Sequence, residues 1–274
     1  MNIRRDGVVL LIATFAVFGL AWTTETNAQP QSGAAPQGPP PLRSAVTTTQ
    51  VKPDMLTTWQ DLIRNEAVPA LKKAGVPWRW VFANSPLGGP GFTFVTVTPI
   101  ANYAQYDQPN PLQRALGVEG LAKYNAKLRP TIVSTSTVIH RLIENASLQS
   151  FSITPPSLAR VATMQLLPGK GQEFAAITTA EFLPALKKAG VTDYLVFATD
   201  YGAPNTQRTV ITMLAKYADL DGPPPLNRAL GAEGAQQLNQ KRGALVASTE
   251  ATVLRFVPEL SYGAPARPST RPTP

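Results

Sequence analysis

The chain has 274 residues, 43% of them hydrophobic and 15% charged, enough to bury a sizeable core in one or two domains. Its formal charge of +8 is spread thinly, with ten Lys/Arg against six Asp/Glu in residues 45–150 and ten against eight in 151–258, and no basic block interleaved with stacking aromatics marks a nucleic-acid binder. The absence of cysteine excludes disulfides and a lipidated-cysteine anchor, and one histidine cannot supply the three or four protein ligands of a zinc site.

Arg4 and Arg5 precede an uncharged apolar run over residues 8–22, and a polar stretch then leads to Ala28. This is the n-, h- and c-region order of a secretory signal, and the run is shorter than the roughly 20 residues that span a bilayer. Residues 1–28 are therefore expected to be a signal peptide cleaved after Ala28, with an uncleaved anchor as the alternative. Membrane contact is expected only through that segment, and the destination is the bacterial periplasm or the extracellular space. Residues 29–44 and 263–274, rich in Pro with Gly, Ala, Gln or Thr, cannot bury enough apolar surface to offset chain entropy. They read as a disordered linker and a disordered tail.

Between these tails the chain contains itself twice. Pro69-Ala-Leu-Lys-Lys-Ala-Gly-Val76 recurs letter for letter as Pro184-Ala-Leu-Lys-Lys-Ala-Gly-Val191, which predicts a duplicated unit. In the first copy, the β-branched run 45–51 reads as a strand, and Asp54 as the cap of a helix whose apolar stripe is Trp59, Leu62 and Ile63. Pro69 either kinks that helix or opens a second one, and Gly75 suits its exit. Residues 78–83 and 92–98 read as a hairpin, 112–127 as a helix weakened by two glycines, and 132–142 as a closing strand. The order is βαββαβ, and residues 158–166, 193–198 and 208–214 repeat its strands. Two modules are expected, at 45–150 and 151–262. Equivalent positions lie 115 residues apart up to Gly75/Gly190 and 114 apart by Tyr103/Tyr217, which places a one-residue length difference in or near the hairpin loop.

A βαββαβ unit with Leu167-Pro-Gly-Lys-Gly-Gln-Glu-Phe174 leading into its first helix, and the looser Val51-Lys-Pro-Asp-Met-Leu-Thr-Thr-Trp59 in copy one, resembles the dimeric α+β barrel superfamily over residues 45–262. The resemblance implies an α+β fold of two tandem ferredoxin-like modules whose antiparallel sheets pack face to face as a pseudo-dimeric barrel, either as a monomer or within a homo-oligomer. Members of that superfamily include haem-degrading and quinone-forming monooxygenases, lactone isomerases and chlorite dismutase-like haem enzymes. The fold therefore does not select a function.

Candidate chemistry is sparse. There is no Gly-x-Ser-x-Gly elbow, and Gly88-Gly-Pro-Gly91 lacks the Lys-Ser/Thr of a phosphate loop. His140, replaced by Leu254 in the sister copy, is a candidate haem ligand or simply a packed side chain. Glu66 and Glu181 recur beside apolar runs, as general bases or as exposed helix glutamates. Tyr103 and Tyr217, with Asp107/Asp221 and Arg114/Arg228, form the most consistent recurring polar set, to fix a turn through Asx-type and Arg–carboxylate bonds or to line a pocket. Trp78, Trp80 and Phe82 share one strand face where copy two carries Asp193, Leu195 and Phe197, so a barrel built from that face would be unequal in its two halves. The expectation is a non-catalytic module that binds a small or apolar ligand or a partner, with no cofactor. The alternative is a monooxygenase-like or haem-binding enzyme.

Overall fold

The computed structural model describes residues 42–148 and 157–264. The expected signal peptide, most of the linker and nearly all of the tail lie outside them. Fourteen elements run in the order β1 (Arg43–Val51), α1 (Leu56–Leu62), α2 (Val68–Lys73), β2 (Trp80–Asn84), β3 (Thr93–Ile100), α3 (Pro111–Leu128), β4 (Ile132–Leu142), then β5 (Leu158–Leu166), α4 (Gly171–Ile177), α5 (Leu183–Lys188), β6 (Tyr194–Tyr201), β7 (Gln207–Leu214), α6 (Pro225–Gly243) and β8 (Val246–Phe256). The eight strands form one closed antiparallel barrel in the order β1-β3-β2-β8-β5-β7-β6-β4. Strands of the first half sit in the order 4-1-3-2 and those of the second repeat it, so each half contributes four neighbouring strands. The halves join where β2 meets β8 and where β6 meets β4. No helix among the described residues is long and apolar enough to cross a membrane.

The octapeptide forms the same helix exit in both halves. Gly75 (φ +80°) and Gly190 (φ +79°) take the left-handed conformation, and Val76 N–H reaches Leu71 O at 3.1 Å while Val191 N–H reaches Leu186 O at 3.0 Å. This is a Schellman closure, which glycine adopts without a Cβ penalty. Upstream, Pro69 stands in the first turn of α2, one residue after its start. A π turn over Ile63–Ala67 precedes α2, and its twin over Thr178–Phe182 precedes α5. Because proline has no N–H to give the ladder, the i→i−5 bond of Val68 to Ile63 O carries the helix past it. Asp54 lies in a 3-10 turn ahead of α1 and makes no capping bond. The strand β1 begins at Arg43, two residues inside the stretch read as linker.

Outside the barrel, the helices cover the sheet with two main apolar clusters and a small one of Leu166, Phe174 and Leu245 under α4. One main cluster centres on Trp59, Val81, Phe94 and Tyr124 in the first half, and the other on Phe182, Leu186, Val196 and Leu238 in the second. Inside lies a further cluster around Phe82, Ala159 and Leu254. The segments that leave β4 and β8 each cross to the other half. Leu148 bridges to Tyr194 and Tyr262 to Arg79, while Ser147 Oγ accepts from Val196 N and Ser261 Oγ from Val81 N, both at 2.9 Å.

Candidate functional site in the barrel lumen

Alternation along the strands puts Trp78, Trp80 and Phe82 on the lumen side, with Arg79 and Val81 under the helices. The same period turns Asp193, Leu195 and Phe197 inward from the second half. Together with inward residues of the other strands they enclose a cavity of about 730 Å³, within the usual size range of small-molecule sites. Most of its wall is aliphatic or aromatic. A smaller cavity of about 220 Å³ lies beside α1 and the β2–β8 seam, with Gln60, Asn84 and Arg255 among its lining residues.

The lumen is chemically lopsided. On one wall Trp80 stands between Trp78 (ring centroids 5.8 Å apart) and Phe82 (6.4 Å), and also meets Phe256 edge-on at 6.2 Å. The Trp80 indole N–H donates to Gly263 O at 3.0 Å, which satisfies its one polar group. The equivalents of Trp78, Trp80 and Phe256 in the second half are Asp193, Leu195 and Leu142, so no aromatic wall forms there.

Away from β2, on β4, stands His140, buried to 6% exposure. Its Nε2 lies 3.4 Å from Thr209 Oγ1 on β7 and its ring stacks on Phe197 at 5.9 Å. Burial drives its pKa down to about 4, against a smaller upward pull from the charge of Asp200. The ring is therefore neutral at pH 7, with one nitrogen able to accept a hydrogen bond.

The other candidates stand elsewhere. Glu66 and Glu181 lie on the outer helical layer, where Lys127 Nζ reaches both Glu66 oxygens at 2.7 Å and Lys241 Nζ reaches Glu181 at 2.9 and 3.2 Å. Arg114 and Arg228 do fix their turns, but by donating to carbonyls rather than carboxylates. Arg114 reaches Pro109 O at 2.8 Å and Ala74 O at 3.3 Å, and Arg228 reaches Pro223 O at 3.1 Å and Ala189 O at 3.3 Å. Tyr217 is 39% exposed and is not among the lumen residues.

Tyr103 instead joins a cluster that sequence reading missed, centred on Asp200. Tyr103 OH donates to Asp200 Oδ2 at 2.9 Å, Arg43 Nε to the same oxygen at 3.1 Å and Arg141 Nε to Oδ1 at 3.0 Å. Partial burial pushes the Asp200 carboxyl up, but the bonds from Tyr103, Arg141 and Arg43 outweigh it and hold its pKa below the ordinary carboxylate value. Three groups of the first half thus grip one carboxylate of the second across the β4–β6 seam. At the other seam the position of Asp200 is occupied by Ser85 and that of Arg43 by Leu158. The available signal was Pro86, which ends β2 early, whereas Asp200 and Tyr201 let β6 run on. A register shift between Ile139 and His140 lies opposite them.

Haem, which the superfamily resemblance raised, does not fit this lumen. Among the described residues its two carboxylates would meet a lining with no Lys or Arg and with Asp193 as the only charged side chain. The one imidazole has Thr209 as its sole hydrogen-bond partner among the described residues, without the carboxylate or carbonyl that normally orients a metal-bound histidine.

No protein-family model matches the sequence, and no curated protein matches it. Solved structures do. A candidate monooxygenase from Fusobacterium nucleatum subsp. nucleatum superposes with a TM-score of 0.53 at 11% identity, covering 79% of this chain and 93% of its own. A mutant chlorite dismutase from Candidatus Nitrospira defluvii gives 0.52 at 10% identity, covering 80% and 92%. A candidate monooxygenase from Lactobacillus acidophilus gives 0.50 at 7%, covering 82% and 98%. At these identities the likeness shows the fold alone, eight antiparallel strands closed into one barrel with helices outside it in a single chain.

Proposed function

We propose that this chain binds a neutral, largely apolar small molecule in the barrel lumen. The observation that carries the reading is the cavity itself, about 730 Å³, with an aromatic wall from Trp78, Trp80 and Phe82 and a neutral His140–Thr209 pair elsewhere on its surface. Removing apolar surface from water supplies about 25 cal/mol per Å², and the imidazole and hydroxyl fix the orientation of a ligand that carries a single hydroxyl or carbonyl. A charged ligand is disfavoured, since among the described residues the lining holds no Lys or Arg and one carboxylate. Titration with the neutral dye Nile red tests this. A saturable one-to-one signal is expected, with Trp80→Ala raising Kd about tenfold, or roughly 1.4 kcal/mol. Unsaturable binding, or equal affinity in Trp80→Ala, would refute it.

A second reading, oxygenation in which the ligand itself supplies both electrons, one atom of O2 entering it as a carbonyl oxygen and the other leaving as water, draws support from the candidate monooxygenases that share the fold and from His140 being the imidazole that faces the cavity. It requires oxygen uptake that depends on both ligand and His140. Uptake unchanged in His140→Leu would remove that role.

Two further readings rest on the sequence. The halves are read as a duplicated ferredoxin-like module, supported by the shared octapeptide and the recurring element order. Export is read from the apolar run at residues 8–22 behind Arg4 and Arg5.

A further inference from the structure

Each half buries one arginine between sheet and helices with its Nε unpartnered, and the aromatic faces that compensate one charge are missing at the other. In the second half Arg242, on α6, lies with its guanidinium carbon 3.7 Å from the centre of the Phe182 ring and 4.8 Å from that of Phe174, and donates to Tyr194 OH at 3.2 Å. The π faces stand in for a counter-charge. In the first half the arginine comes from the sheet instead of the helix. Arg79 occupies the position of Tyr194, while Leu128 occupies that of Arg242.

Arg79 is 9% exposed. Among the described residues its guanidinium has one acceptor, the Thr96 hydroxyl at 3.3 Å, and no aromatic face, and its Nε is buried without a partner. Beside it, in a mutual backbone bridge with N···O distances of 2.9 and 2.8 Å, stands Tyr262, whose buried hydroxyl is likewise unpartnered. Lys72 Nζ lies 5.0 Å from the centre of the Tyr262 ring and adds a second positive charge. Glu66, which acts electrostatically on nearby Tyr124, is already held by Lys127. A guanidinium stays charged at neutral pH, and burying it without a counter-charge is strongly unfavourable. Orphaned donors on two bridged, electrostatically coupled residues, beside a guanidinium with no counter-charge among the described residues, describe half of an ion pair.

We propose that Arg79 and the Tyr262 hydroxyl together hold a small monovalent anion, chloride or a carboxylate group, in the sheet–helix layer of the first half. The site is separate from the lumen, on the opposite face of the sheet from Trp78 and Trp80. Tyr262 follows β8, so the anion fastens the crossing C-terminal segment to the first half. The test is the thermal midpoint of the full chain at constant ionic strength as gluconate is replaced by chloride, or by formate. Because an anion that binds only the folded state stabilises it by mass action, the midpoint should rise and saturate. Arg242→Met should retain the response, Tyr262→Phe should weaken it severalfold, and Arg79→Met should abolish it. Should Arg79→Met not fold, Tyr262→Phe still decides. A chloride response that saturates first assigns an inorganic ion, and a stronger formate response assigns a carboxylate. A midpoint indifferent to the anion, or a response intact in Tyr262→Phe and Arg79→Met, would overturn the proposal.

Discussion

His140 and Leu254 occupy equivalent places on β4 and β8, yet only the imidazole has to stay uncharged to remain where it is. Its folded pKa of about 4 lies below the ordinary 6.5, so the unfolded chain binds a proton that the folded one refuses between those values. Stability is therefore intact above pH 6.5 and falls as pH drops toward 4, by about 3 kcal/mol at 1.36 kcal/mol per pKa unit. His140→Leu, which copies the sister residue, should flatten that slope. Thermal midpoints at pH 7 and pH 4.5 check it, and equal slopes for the two proteins would show that the ring protonates freely in the fold. At Asp200 the sign of the shift is also downward but the group is an acid. Asp200→Asn should cost about 1–3 kcal/mol near neutrality through its charge-assisted bonds to Arg43 and Arg141. That difference should vanish as pH falls below the carboxylate range, since protonation then removes the same charge from the parent protein.

At the scale of elements, the helices α3 and α6 show how much local sequence could reveal. The glycines that weaken the pattern do more than weaken it, because Gly117 (φ 72°, ψ 175°) and Gly231 (φ 72°, ψ 174°) break each helix with a conformation open essentially to glycine alone. No atom outside the local chain lies within 4 Å of a Cβ placed at Gly117, so the cost of Gly117→Ala is backbone strain, about 1–3 kcal/mol. Chemical denaturation should show that loss, while Gly91→Ala, at ordinary φ and in open space, should be nearly neutral. The strands, both hairpins and the helix exit at Gly75 were readable because alternation, turn residues and a left-handed glycine are local signals. The π turn before Pro69 was not, since whether a chain detours around a proline depends on the sheet it packs against. The inward orientation of Trp78 and Trp80 was conditional on the barrel closing around that face, which is a tertiary fact. Asp200 was invisible for the same reason. Its partners Arg43, Tyr103 and Arg141 are distant in sequence and meet only at the seam.

Across the whole molecule, closure lets two halves of matching element order differ in their side chains. Two four-stranded sheets leave edges at β2, β4, β6 and β8, and pairing β2 with β8 and β6 with β4 removes all of them, so the barrel is complete within one chain. The halves differ where they meet and where they line the lumen: one seam carries the Asp200 cluster, one wall of the lumen is aromatic, and one buried arginine is caged by phenylalanines while the other is not. The central claim is that the lumen these halves enclose holds a neutral apolar ligand. Native mass spectrometry of the full chain with a library of neutral apolar compounds, beside a Val161→Phe variant that fills the lumen from β5, tests it most directly. One-to-one adducts that are lost in Val161→Phe are the expected result. Adducts that persist in the filled variant, or none with either protein, would contradict the account.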